Sequence, residues 1–151
     1  MLCQDIMRRP VECARRGDTV QAVARRMRDQ NIGFLPVCDD HNHAIGVVTD
    51  RDLAIRLCAD GASPVETRIE EVMTSELVHC RPRDELSAAK QLMATRHKSR
   101  ILVTSTAGEP LGVISLSDVA ARSTDAAHVL REVAAREVLS TPSGPGHPAK
   151  R

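Results

Sequence analysis

Gly46-Val47-Val48-Thr49-Asp50-Arg51-Asp52 returns 66 residues later as Gly112-Val113-Ile114-Ser115-Leu116-Ser117-Asp118. The register extends well upstream of these two turns. Met7 matches Met73, Asp18 matches Asp84, Met27 matches Met93 and Val37 matches Val103, all at the same offset. A repeat held in fixed register over this length means two copies of one supersecondary unit. It also means two copies of whatever site the repeated turn builds.

Each copy reads as strand, helix, strand, strand, helix, which makes the fold class α/β. In the first copy, Asp18-Thr19 caps a helix over residues 20–30 whose apolar stripe is Val20, Val23, Ala24 and Met27, the spacing of one buried face. Gly33 ends that segment. Residues 34–38 form a short apolar strand whose Pro36 suits an edge or a bulge. A polar hairpin loop over 39–43, a strand over 44–48 and a helix over 50–59 follow. In the second copy Asp84 opens a helix with the stripe Leu86, Ala89 and Met93, strands occupy 101–104 and 111–114, and a helix starts near Leu116. The copies span residues 4–60 and 70–125, with a linker over 61–69. Residues 126–139 read as an additional helix with Val129, Leu130, Val133 and Ala134 on one face, and the Pro- and Gly-rich stretch 140–151 as a disordered tail.

Composition narrows the function. The chain of 151 residues has one Phe and neither Trp nor Tyr, so its core is aliphatic and it lacks the aromatic platforms on which single-stranded nucleic acids stack. The formal net charge is +1, with nine basic and nine acidic residues in the first 60, which argues against a nucleic-acid footprint. No apolar run approaches about 18 residues, and Met1-Leu2-Cys3-Gln4-Asp5 is too short and polar for a signal peptide. These features predict a cytoplasmic protein with no membrane partner, whose five cysteines are free thiols. No nucleophile elbow, P-loop or metalloprotease helix is present, so an enzyme is not expected.

The repeated turn joins a strand to a helix. Its Gly lets another backbone or a ligand approach closely. Its Thr or Ser lies at the helix N-terminus, where unpaired N–H groups favour an anion. The Asp three positions on offers two acceptor oxygens to a vicinal diol. The same residues also fit a capping box, Thr49 with Asp52 and Ser115 with Asp118. Cap and nucleotide grip can coexist.

With Asp5-Ile6-Met7 and Glu71-Val72-Met73 opening the copies, Asp18-Thr19-Val20 before the first helix, Leu35-Pro36-Val37, and the two glycine-to-aspartate turns, the chain resembles a CBS-domain pair, or Bateman module, over residues 4–124. Thr49-Asp50-Arg51-Asp52-Leu53 is similar to stand-alone bacterial members. The resemblance implies a disc-like module of two pseudo-symmetric repeats, a regulatory rather than catalytic role, and two clefts for adenosine-containing ligands. It implies one cleft with Ser115, Ser117, Asp118, Arg100 and Val113 facing a base slot of Met7, Val11, Glu12 (through its backbone), Ile32 and Gly33. The other would use Thr49, Arg51, Asp52, Val47 and Phe34, with Met73, Leu77, Val78, Lys98 and Ser99 opposite. This second cleft departs from the pattern twice, with Phe34 in place of the basic residue at Arg100 and Lys98 in place of Ile32.

Arg100 and Arg51 would repel a sulfonium, which ranks AMP, ADP and ATP above S-adenosylmethionine and NAD. The expected function is a sensor that binds an adenine nucleotide and signals to a protein partner as a homodimer joined through residues 50–59 and 116–126. Residues 126–139 could swap between its copies. Two alternatives stand beside it: a ligand-independent scaffold or inhibitor, and a redox or metal sensor through Cys38 and His41.

Overall fold

The computed structural model describes residues 1–122 and 126–139. The expected tail over 140–151 lies outside the described residues. Two three-stranded sheets carry the fold. In the first, β1 (Ala14–Arg15) runs parallel to β2 (Phe34–Cys38), which pairs antiparallel with β3 (Ala44–Thr49). The second repeats this order with β4 (His79–Cys80), β5 (Arg100–Thr104) and β6 (Pro110–Ser115). The register agrees residue for residue at the offset of 66: Phe34 faces Thr49 as Arg100 faces Ser115, and a bulge follows Val37 as one follows Val103.

Helices α1 (Val20–Gln30) and α2 (Asp50–Asp60) belong to the first copy, and α4 (Leu86–Arg96) and α5 (Leu116–Arg122) to the second. In α1, Val20, Val23 and Met27 are buried, but Ala24 is exposed, so the inward face is narrower than the sequence stripe. Thr19 accepts the Ala22 N–H and caps α1, whereas Asp18 accepts the Arg15 N–H and pins the preceding turn. Asp84 does the same for Arg81. Both helices end on left-handed residues, Asn31 at φ 52° and His97 at φ 51°. The stop therefore falls two residues before Gly33. Helix termini of this shape usually carry glycine, and a search for glycine passes these two over.

Pro36 is in the middle strand rather than at an edge. Because β1 reaches only Val37 and Cys38, Pro36 is paired with Val47 on one side alone, and the bulge begins one residue later. A missing N–H costs nothing there.

The two copies trade their opening segments. A short 3-10 turn, Cys3–Asp5, leads into Ile6 and Met7, and Cys3, Ile6 and Met7 are buried among Leu86, Met93, Ile101 and Ile114 of the second copy. In exchange α3 (Ile69–Val72) buries Ile69 and Val72 among Val20, Val23, Leu35 and Val48 of the first. Equivalent backbone bonds fix both: Cys3 N–H donates to the Asp84 carbonyl at 2.9 Å, and Ile69 N–H to the Asp18 carbonyl at 2.8 Å. Ile69 closes the linker as read from sequence but is fully buried at the start of α3. Helix α6 (Ala126–Leu139) lies against α4 and α5 of its own chain. Val133 enters the second core, while Leu130 and Ala134 face outward and the Val129 side chain lies outside the described residues.

The repeated glycines are where the traded segments cross. A Cβ on Gly112 would stand 2.8 Å from the Met7 sulfur and 3.0 Å from the Arg8 carbonyl oxygen, and one on Gly46 would stand 2.7 Å from the Thr74 carbonyl oxygen. The close approach expected of these glycines is therefore to a backbone. Gly112→Ala is expected to lower the unfolding free energy by about 1–3 kcal/mol, the usual cost of overpacking. Urea denaturation read by circular dichroism checks this, and an unchanged midpoint contradicts the close crossing.

Candidate functional site

Crossing brings each traded segment alongside the last strand of the other copy. Arg8 and Val113 exchange N–H···O bonds of 2.9 and 3.3 Å, and Thr74 and Val47 do the same at 2.8 and 3.0 Å. The strand-to-helix turn of one copy thus faces the chain that follows Met7 or Met73 of the other, and a cleft opens at each junction.

The larger cavity, about 440 Å³, is lined by Val11, Glu12, Ile32, Gly33, Arg100, Val113, Ser115, Ser117 and Asp118, together with Arg8, Pro10, Gln30, Asn31, Phe34 and Leu35. It gathers every residue expected of the first cleft except Met7, which packs beneath Gly112. The second cavity, about 210 Å³, is lined by Phe34, Val47, Thr49, Asp52, Val78, Lys98 and Ser99, with Thr74, Glu76, His97 and Arg100 added. Met73, packed against Gly46, and Leu77 and Arg51 are not in its lining. Sites for small ligands usually span about 300–1,000 Å³, so only the first has that size. Phe34 and Arg100, equivalent residues of the two repeats, line both cavities.

Both turns are capping boxes. The Thr49 N–H and Oγ1 donate to Asp52 Oδ2 at 3.0 and 3.1 Å, and the Asp52 N–H returns a bond to Thr49 Oγ1 at 3.2 Å. In the second copy the Ser115 N–H donates to Asp118 Oδ2 at 2.9 Å, the Ser115 hydroxyl bonds the same oxygen, and the Asp118 N–H donates to Ser115 Oγ at 3.2 Å. Ser117 Oγ lies 2.7 Å from Ser115 Oγ. The motif hydroxyls are thus occupied by the caps, and because the Ser115 proton goes to Asp118, Ser117 donates its own to Ser115 Oγ and is the hydroxyl that can turn to a ligand by giving up one bond.

The two carboxylates differ in what meets their second oxygen. Arg8 Nε donates to Asp118 Oδ1 at 2.6 Å, whereas Asp52 Oδ1 has, among the described residues, Arg56 of its own helix at 3.7 Å. Asp118 is 9% exposed. Burial pushes its carboxyl up, but the bonds from Ser115 and Arg8 outweigh burial and hold it below the ordinary aspartate range. Arg8 has no separate motif in the sequence. The one pointer to it is its place directly after Met7, on the segment assigned to the cleft.

Cys38 and His41 lie in different surroundings. Cys38 is a fully buried free thiol hydrogen-bonded to that of Cys13, an arrangement that pushes the Cys38 thiol up and holds Cys13 below the ordinary thiol value. His41 is exposed in the loop. Among the described residues no cluster of three His, Cys, Asp or Glu side chains is arranged to hold a metal ion, and no helix is long and apolar enough to cross a membrane.

Residues 3–58 and 69–125 each match the CBS domain. The chain belongs to the CBS-domain family. Its relatives include the CBS domain-containing protein YhcV of Bacillus subtilis, 35% identical over 117 residues that cover 78% of this chain and 81% of that one. Among solved structures, this CBS pair is similar to Hypoxic Response Protein I with two coordinated zinc ions, at a TM-score of 0.74 and 27% identity, covering 82% of this chain and 99% of that one. It shares its fold with the CBS domain pair of protein MJ0100 in complex with 5′-methylthioadenosine and S-adenosyl-L-methionine, at a TM-score of 0.72 and 22% identity over 80% and 94% of the two chains.

The depressed Asp118 carboxyl gives a pH test. Its contribution to stability is complete above the unfolded value of about 4 and disappears as pH falls below that through the lower folded value. Asp118→Asn is expected to lower stability at pH 7 by about 1 kcal/mol, since solvent around the exposed Arg8 screens the pair. The difference from wild type should shrink only below about pH 4. Urea midpoints across this range measure it, and an equal gap at pH 3 and pH 7 counts against the ion pair.

Proposed function

We propose that this CBS pair is a non-enzymatic sensor that binds an adenine nucleotide in the Asp118 cleft and passes its occupancy to a protein partner. One observation carries the reading: a cavity of about 440 Å³ brings a buried carboxylate, a hydroxyl and a guanidinium from one copy against an apolar wall from the other. Val11, Ile32 and Val113 provide surfaces for a purine, Asp118 the acceptors for a ribose diol, and Arg100 the donor for phosphate, joined by the Ser117 hydroxyl when it turns from Ser115. Because the cleft has walls from both copies, a ligand that fits one relative placement of the copies better than another shifts the population of shapes.

Arg100 favours a phosphate over a sulfonium, so AMP, ADP and ATP rank ahead of S-adenosylmethionine, and NAD follows them. The Asp52 cleft is smaller and presents Lys98 where the first presents Ile32, which makes it the weaker site. Pairing of two copies through α2, where Ile55 is 52% exposed, gives the signal a surface to act on. We place the protein in the cytoplasm.

One observation favours a second reading, a scaffold that works without ligand: Arg8 gives the cleft carboxylate a partner from within the chain. Calorimetric titration of nucleotide-stripped protein separates the two. AMP or ATP is expected to bind with micromolar Kd while S-adenosylmethionine gives no heat, and Asp118→Ala with Asp52→Ala abolishes binding. A double variant that binds as wild type does overturns the assigned grip. Folded wild type that binds none of the three favours the scaffold.

A further inference from the structure

Asp118 has little capacity left for a ligand. Its Oδ2 takes the Ser115 N–H and hydroxyl, and its Oδ1 takes Arg8 Nε at 2.6 Å. A carboxylate offers about four acceptor sites and three are taken, so a ribose diol that donates twice must displace one bond, and Arg8, on an exposed side chain, is the partner able to leave. The displacement is sterically easy, because the Arg8 side chain is 74% exposed and its Nη groups make no hydrogen bond among the described residues. It is electrostatically costly, because a buried carboxylate loses a charge-assisted bond. Arg8, Ser117 and Arg100 line one cavity, so a released guanidinium stays within the site.

We infer that Arg8 is the charge filter of the Asp118 cleft, blocking the carboxylate against neutral nucleosides and transferring to the phosphate of a nucleotide. The inference rests on the adenine-nucleotide reading above. A nucleoside breaks the Arg8–Asp118 bond and returns nothing to the guanidinium. A nucleotide offers it a doubly accepting anion suited to its fork. The second cleft has no such filter. Thr74 stands at the position equivalent to Arg8, and Arg56 near Asp52 is committed to the Val72 and Met73 carbonyls at 3.1 and 2.9 Å. A guanidinium that must leave the carboxylate before a diol can bind is therefore a feature of the Asp118 cleft.

The test is calorimetric titration with AMP and with adenosine, in an Asp52→Ala background that leaves the Asp118 cleft as the reporter. Arg8→Gln is expected to reduce the preference for AMP over adenosine by about tenfold, the equivalent of one charge-assisted bond. Arg8→Lys, which keeps the charge and loses the fork, is expected to retain part of that preference. An AMP-to-adenosine ratio that Arg8→Gln leaves unchanged overturns the filter and leaves the nucleotide site standing. A parent protein that is folded yet binds no AMP overturns both.

Discussion

Two backbones pass within van der Waals distance at Gly112 and again at Gly46, and the remaining architecture depends on those crossings. The segment ending in Met7 can reach the second core only because the residue beneath it has no side chain, and the segment ending in Met73 reaches the first core for the same reason. Without the crossings each sheet would lack the cover of Ile6 and Met7 or of Ile69 and Val72, and units of roughly 60 residues bury too little surface to tolerate such a loss. The clefts are by-products of this arrangement. Where the guest segment leaves the host sheet it diverges from the strand-to-helix turn, and the gap between them is the cavity.

Equivalent backbones have then acquired different chemistry. The offset of 66 places Arg100 against Phe34, Lys98 against Ile32, Ser117 against Arg51 and Arg8 against Thr74. Because each cleft draws its turn from one copy and its facing wall from the other, these differences combine crosswise. The cleft with Asp118 receives the apolar Ile32 and the cation Arg8, and the cleft with Asp52 receives Lys98 and Thr74. One backbone plan thus yields a roomy, carboxylate-guarded site and a smaller one.

Much of this was legible in the sequence because repetition supplies its own control. Strand and helix assignments that agree at a fixed offset reinforce each other, and the turn residues Ser115, Asp118, Thr49 and Asp52 follow directly. Ser117 and the facing residues Val11, Ile32 and Lys98 came from the family resemblance rather than from any pattern in the chain. What stayed hidden was of two kinds, contacts between residues far apart in sequence and local geometry carried by residues other than the usual ones. The Arg8–Asp118 pair spans 110 residues. Asn31 and His97 end helices where glycine is the usual signal, and Pro36 occupies a middle strand only because β1 is two residues long. Met7 and Met73, expected in the ligand slots, pack against Gly112 and Gly46.

The exchange of opening segments also sets how such a chain can change over generations. Ile6 and Met7 are encoded in the first copy but are judged by the fit they make with Ile101 and Ile114 of the second, and Ile69 and Val72 by their fit with Val20 and Leu35 of the first. The unit of compensation is therefore the head of one copy with the body of the other. A substitution that enlarges one core is repaired at a site in the opposite half of the gene, and wholesale replacement of either copy by a foreign repeat disturbs two cores at once. Duplication made the halves alike, but each can diverge only in step with its twin.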